Sequence, residues 1–153
     1  MLLPALLSAS RHSGTKARII NTSSALASRA PNTPSGIDWD TVQDNPRRLE
    51  AMKRIEGIPT YGQSKLANLT LSNIFNNQHQ EIASCALHPG VLKSNLGAAD
   101  RGAILKSILN LVLWPTEMGP LTQLYAATVP SADEMRGKVS DTEKDSLDLV
   151  PRR

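Results

Sequence analysis

A tyrosine and a lysine four residues apart, Tyr61 and Lys65, form the pair in this sequence best suited to proton transfer. Residues at this spacing lie on one face of a helix. A free phenol has a pKa of about 10, so a tyrosine that transfers protons near neutral pH needs its phenolate stabilised. A lysine ammonium about 4 Å away contributes roughly 4 kcal/mol at an effective dielectric of about 20. The same spacing also occurs on solvated helix faces, and the pair alone does not decide between these two interpretations.

The residues around this pair predict the helix that carries it. Gly57-Ile58-Pro59 marks the start of a new helix just before Tyr61, and the helical pattern runs to about Gln78. Apolar residues recur at i, i+4, i+7 and i+8, which is typical of a helix face packed against a core. The predicted buried stripe consists of Ala67, Leu71, Ile74 and Phe75.

Two short segments predict strands on either side of this helix. Arg18 to Ser24 is rich in β-branched residues and closes in small hydroxyl residues, as a buried strand does where its end opens on a site. Ile82 to His88 is apolar and is stopped by Pro89-Gly90. A weaker final strand is predicted at Gly137 to Ser140.

Helical segments flank these strands. They are predicted at residues 1–9, 46–56, 101–114 and 116–128, with Thr116 as the cap of the last. Loops are predicted from Ser10 to Lys16, with Gly14 as the breaker, and from Ala30 to Asp44. This alternation predicts an α/β fold with a parallel sheet of about three strands and flanking helices. We expect one folding unit over residues 1–140 and a polar, frayed tail at 141–153.

Composition narrows the class of protein. With 153 residues, 40% apolar content and 20% charged content, the chain is typical of one globular unit. The net charge is +3, but the basic residues are scattered and only five residues are aromatic, so we expect no nucleic-acid partner. Cys85 is the single cysteine, which agrees with a reducing compartment such as the cytoplasm and predicts a buried, inert thiol. No metal site is expected, because the three histidines lie far apart: His12, His79 and His88.

Three motifs occur in order along the chain. Asn21-Thr22-Ser23-Ser24 ends the first strand, Tyr61 and Lys65 begin the central helix, and His88-Pro89-Gly90 ends the second strand. Together they resemble the C-terminal half of a short-chain dehydrogenase/reductase. The sequence YGQSKLAN followed by HPGVLKSNL is most similar to the branch of retinol dehydrogenases and WW-domain oxidoreductases. The long gap between Ser24 and Tyr61 also suits that branch, whose members carry an insertion there. The resemblance implies the C-terminal part of a Rossmann-type, doubly wound parallel sheet, without the N-terminal cofactor half.

The resemblance also implies catalytic roles. Tyr61 would be the general acid or base, protonating a carbonyl oxygen in reduction or deprotonating an alcohol in oxidation. Lys65 would stabilise its phenolate and bind the nicotinamide ribose hydroxyls. Ser24 would hydrogen-bond the substrate oxygen, whereas Ser23 would serve the strand end. Without the family context, a strand-terminal serine that satisfies local backbone groups remains a reasonable interpretation of Ser24.

A nicotinamide cofactor and a lipophilic alcohol or carbonyl substrate follow from the same resemblance. The residues implied to contact the cofactor, besides Tyr61 and Lys65, are Pro89, Gly90, Val91 and Ser94. NADP or NAD would serve, and the branch favours NADP. The helix at 101–114 falls where the family has its variable substrate lid, and it would form a lipophilic pocket wall, a peripheral contact with an intracellular membrane, or plain core packing. The Tyr61 helix is one through which family members dimerise, which implies a homo-oligomer.

One family motif is missing from the sequence. No turn of the form T-G-x-x-x-G-x-G, which cradles the pyrophosphate at a helix N-terminus, occurs in these residues. We therefore expect no NADP binding by these residues alone. Two hypotheses remain open: the chain is a stretch of a complete oxidoreductase, or it is a truncated, non-catalytic relative that acts as an interaction subunit.

Overall fold

The computed structural model describes residues 2–90, 92 and 115–136. The predicted helix at 101–114, the predicted strand at 137–140, the tail at 141–153, Val91 and Ser94 lie outside the described residues. The elements are α1 (Leu3–Ser13), β1 (Ala17–Thr22), a 3-10 helix (Ala25–Arg29), α2 (Trp39–Val42), α3 (Arg48–Arg54), α4 (Ile58–Gln78), β2 (Ile82–Leu87), a second 3-10 helix (Thr116–Met118), α5 (Gly119–Thr128) and α6 (Ala132–Met135).

The two strands pair in parallel, from Ala17 opposite Ile82 to Thr22 opposite Leu87. All six residues of β2 are buried, whereas β1 is only partly covered. The predicted α/β class with a parallel sheet is therefore confirmed, and it is compatible with part of a Rossmann-like sheet. The described residues contain two of the three predicted strands. Both strands end earlier than predicted, at Thr22 and Leu87.

Helices cover both faces of β2. Ala83, Cys85 and Leu87 pack with Ala126 of α5 and Met135 of α6. Successive strand residues point to opposite faces. Ala86 accordingly belongs to a second cluster, with Ala27 and Leu69. The predicted burial of Cys85 is confirmed, and desolvation raises the pKa of its thiol to about 11. The two clusters give the chain a layered helix, sheet, helix arrangement.

The extent of α4 matches the prediction, but its predicted buried face is wrong. Leu71 and Ile74 are 41% and 42% exposed, Ala67 is exposed and Phe75 is only half-buried. The buried positions of the helix are instead Gly62, Gln63, Leu69, Ser72 and Asn76. Small and polar side chains face the sheet because they form specific hydrogen bonds there, which apolar periodicity does not reveal.

Asn76 makes the clearest of these contacts. The carbonyls of Glu81 and Leu87 accept hydrogen bonds from the β1 side, so strand alternation directs the peptide groups of Ser84 to the other edge of β2. There the Asn76 Nδ2 donates to the Ser84 carbonyl at 2.7 Å, and the Ser84 N–H donates to Asn76 Oδ1 at 2.8 Å. One side-chain amide thus satisfies both backbone groups of a buried residue, as a neighbouring strand would.

Three local expectations also need correction. Helix α1 continues to Ser13, beyond the predicted start of a loop at Ser10, whose buried hydroxyl lies 2.9 Å from the Glu81 carbonyl oxygen. Gly14 ends the helix in the left-handed conformation (φ 67°), which confirms it as the breaker. The predicted loop from 30 to 44 contains α2. Thr116 does not cap α5, which begins at Gly119 without a side-chain cap.

Replacement of Asn76 by leucine tests the edge contact. Asn76→Leu leaves the buried N–H and C=O of Ser84 without their partner, and each such group costs about 1–3 kcal/mol. We expect a loss of roughly 2–5 kcal/mol in the free energy of unfolding, measured by urea titration. The matched control is Asn77→Leu at the exposed neighbouring position, with an expected change below about 0.5 kcal/mol. Equal losses in the two variants would refute the interpretation.

Candidate active site

The C-terminal ends of both strands lie side by side and bring two of the sequence motifs together. The Ser23 N–H donates to the Leu87 carbonyl at 2.7 Å, which continues the ladder one step past β1. Ser24 follows on one side, and Pro89 and Gly90 follow on the other. Parallel sheets place ligand sites at this edge, outside the carboxyl ends of the strands. The serine pair and the Pro-Gly pair therefore lie where a common site requires them.

The first turns of α4 carry Tyr61 and Lys65 to the same edge. The helix begins after Gly57, which has a φ of 84°, and Tyr61 and Lys65 are both half-buried. The Lys65 Nζ lies 5.5 Å from the centroid of the Tyr61 ring and donates to the Thr22 carbonyl at 3.2 Å. Thr22 is the last residue of β1, so this bond attaches the lysine to the end of the strand.

Ser24 begins the first 3-10 helix. Its Oγ accepts a hydrogen bond from the Leu26 N–H at 3.2 Å, so it does satisfy a local backbone group. A hydroxyl that accepts one bond still has its O–H to donate. The capping role and the implied contact with a substrate oxygen are therefore chemically compatible.

Gly62 sets the distance between α4 and the segment that Ser24 begins. A Cβ at this position would lie 2.7 Å from the Leu26 carbonyl oxygen and 2.8 Å from the Ala30 nitrogen. Both neighbours are backbone atoms of the first 3-10 helix or its end, so they have no side-chain freedom with which to yield. Only glycine permits this approach, and no periodicity or motif in the sequence indicated this role of Gly62.

Ser23 and Gln63 also support the site: Ser23 serves the strand end, as the resemblance implied, and the role of Gln63 was not predicted. The buried Ser23 hydroxyl donates to the carbonyl of Lys65 at 2.8 Å and so ties the strand end to the helix backbone. The Gln63 side chain accepts from the Asp38 N–H at 3.0 Å and donates to the Thr41 Oγ1 at 2.7 Å. The sequence shows only that Gln63 is a polar residue on the helix face opposite Tyr61, and it does not indicate a partner.

An ion pair extends this support to α3. The Arg54 Nη2 donates to Asp38 Oδ2 at 2.6 Å, and this hydrogen bond raises the pKa of the Arg54 guanidinium. Asp38 is nearly buried, so the guanidinium compensates a carboxylate that would otherwise be poorly solvated. Helices α2 and α3 are thereby joined to α4 through Asp38.

Several described residues suit the nicotinamide end of a cofactor. The Lys65 ammonium can donate to ribose hydroxyls, and Gly90 has a φ of 89° with open space where a Cβ would be. None of the described residues obstructs the approach of other groups to the backbone at Gly90.

Among the described residues, no group of three or more His, Cys, Asp or Glu side chains is arranged to hold a metal ion. Nor is any described helix both long and apolar enough to cross a bilayer.

Comparison with known proteins gives consistent names. A short-chain dehydrogenase/reductase of Armillaria gallica is 33% identical over 140 residues, and a Brassica napus protein named Short-chain dehydrogenase TIC 32 A, chloroplastic, is 34% identical over 144. Each alignment covers 90% of this chain. These similarities support the short-chain dehydrogenase/reductase family. The chain spans 42% of the length of each relative. No family model and no solved structure matches it.

A Gly62→Ala substitution tests the close approach of α4. At an ordinary exposed helix position this change adds up to about 1 kcal/mol of stability, because alanine is the better helix former. At Gly62 we expect the opposite sign, a loss of about 1–3 kcal/mol in the free energy of unfolding, because the added methyl group overpacks backbone atoms. Asn73→Ala, on the exposed side of the same helix, is the control and should change stability by less than about 0.5 kcal/mol. A stabilised Gly62→Ala variant would show that the approach is not tight.

Proposed function

We propose that this chain carries the catalytic residues of an oxidoreductase that transfers a hydride between NAD(P) and a lipophilic alcohol or carbonyl. The observation that carries the proposal is the position of Lys65, bonded to the end of β1 and 5.5 Å from the Tyr61 ring. The names of the similar proteins support an oxidoreductase of the short-chain dehydrogenase kind. Within that family, the sequence around Tyr61 favours the branch of retinol dehydrogenases and WW-domain oxidoreductases.

In this proposal Tyr61 moves the proton. Its hydroxyl gives its proton to the carbonyl oxygen during reduction, and its phenolate takes the alcohol proton during oxidation. Lys65 holds its ammonium group 5.5 Å from the centroid of the Tyr61 ring. Ser24 donates a hydrogen bond to the same substrate oxygen, which stabilises the negative charge that develops there. These three residues orient the substrate and supply the proton.

The cofactor, when bound, supplies or accepts the hydride. Lys65 would donate to its ribose hydroxyls, and Pro89, Gly90, Val91 and Ser94 would contact its nicotinamide end. The branch favours NADP. The Gly-rich turn that holds the pyrophosphate in this family is not among the 153 residues, and the relatives are more than twice as long. The proposed activity therefore concerns the protein at its natural length.

The first experiment isolates that protein from its own cells and measures its intact mass. A mass well above 16.5 kDa identifies a longer product, in which Tyr61→Phe can be compared with the wild type. We expect Tyr61→Phe to lower kcat for NADPH-dependent reduction of a lipophilic ketone or aldehyde by at least about 100-fold, since an acid catalyst contributes about 10²–10⁴. NADPH affinity, measured by fluorescence titration, should stay within about threefold because the phenol mainly serves the proton transfer. Turnover that survives the substitution would refute the assignment.

A second candidate function is favoured by the exposed stripe of α4. Ala67, Leu71 and Ile74 lie outside the core, and apolar side chains that share one exposed helix face are typical of an interaction surface. We propose that this stripe pairs with a second copy of the chain or with a longer relative. Such pairing is compatible with catalysis and would also serve a non-catalytic subunit.

We also propose that the protein is cytoplasmic and that residues 101–114 form a peripheral contact with an intracellular membrane.

Sedimentation velocity tests whether the chain associates through the exposed apolar stripe of α4. We expect the wild-type chain to associate at micromolar concentrations and Leu71→Glu to sediment as a monomer, because a charge in an apolar interface is desolvated without a partner. Leu49→Glu, which changes a leucine that is 69% exposed on α3, is the control and should leave association unchanged. If Leu71→Glu associates like the wild type, the stripe is not the interface.

A further inference from the structure

One carbonyl oxygen at the site receives two hydrogen bonds from α4. The Thr22 oxygen accepts from Asn68 Nδ2 at 2.8 Å and from Lys65 Nζ at 3.2 Å. A carbonyl oxygen has two lone pairs, so these two donors use its full capacity. The shorter bond belongs to the neutral amide of Asn68, and the longer one to the ammonium of Lys65.

From this arrangement we propose that Asn68 is a positioning residue for Lys65. Its amide fixes the last peptide of β1 against α4 and so holds in place the oxygen to which the Lys65 ammonium is attached. The inference builds on the proposed function, in which the ammonium must stay close to Tyr61. Asn68 acts only through Lys65 and does not touch the reacting atoms.

Neighbouring hydrogen bonds make the anchor rigid. The Ser72 hydroxyl donates to the Asn68 carbonyl at 3.1 Å, and the Asn21 amide donates to the Ser72 oxygen at 2.8 Å. Two consecutive residues of β1, Asn21 and Thr22, are therefore bonded to side chains of α4. This fixes the register between strand and helix at the place where the lysine is attached.

The chemistry of an asparagine suits this position. Its NH₂ group donates to the carbonyl without adding charge, so it neither repels nor captures the nearby ammonium. An aspartate at position 68 would instead offer the ammonium an ionic partner and draw it away from the carbonyl. A leucine would leave the terminal peptide of β1 without its tether and would let the lysine side chain sample more solvent.

These opposite effects define the experiment. The 153-residue chain is treated with a limiting amount of an amine-acetylating reagent at neutral pH, and mass spectrometry measures acetylation of Lys65 relative to the exposed Lys53. We expect Asn68→Leu to raise the relative rate at Lys65 about threefold and Asn68→Asp to lower it about threefold, the range of one hydrogen bond or ion pair. Asn73→Leu, at an exposed position of the same helix, should leave the rate unchanged.

A purely structural role gives a different pattern. General loosening of the fold would raise the rate at Lys65 in both Asn68 variants, and changes in the same direction would overturn the proposal, as would two unchanged rates. If Asn68→Leu fails to fold, Asn68→Asp decides: a lowered rate supports the proposal and an unchanged or raised rate overturns it. The readout needs no turnover, so failure of the proposed oxidoreductase activity in Tyr61→Phe would not alter it.

Discussion

The hydrogen-bonded contact between α4 and the end of β1 is the constraint on which the rest of this structure depends. Ser23 donates to the Lys65 carbonyl, while Lys65 and Asn68 donate to the Thr22 carbonyl. The Ser23 hydroxyl is buried, so leaving it unpaired would cost about 1–3 kcal/mol, whereas each bond to the exposed Thr22 residue contributes about 0.5–1.5 kcal/mol. The strand end therefore determines where the helix lies, and the helix in turn places Tyr61 at the edge of the sheet.

This polar contact also determines what the opposite face of α4 presents. Because Ser72 and Asn76 are turned toward the strands, Leu71 and Ile74 are turned outward. One orientation of the helix thus places Tyr61 and Lys65 at the sheet edge and presents an apolar surface farther along the helix. The proposed pairing surface and the proposed active site are consequences of a single orientation.

Support for the site comes from residues with no chemistry of their own in the proposed reaction. Gly62 permits backbone contact with the first 3-10 helix, and Gln63 connects α4 to α2. Two residues between Tyr61 and Lys65, Gly62 and Gln63, therefore hold the surrounding segments, while the pair itself lies at the proposed site. Such division of roles is expected where a site must be kept within a fraction of an ångström by its neighbours.

The sequence by itself was sufficient for the α/β class, both described strands, the extent of α4 and the resemblance carried by Tyr61, Lys65 and the two strand-end motifs. Those features depend on local periodicity and on short motifs, which are readable along the chain. The tertiary structure alone decided which face of α4 is buried and which further residues hold the site: Gly62, Gln63, Asn68 and Asn76. Hydrogen bonds between residues on different elements and a backbone approach that leaves no room for a Cβ at Gly62 made those choices, and neither leaves a periodic signal in the sequence.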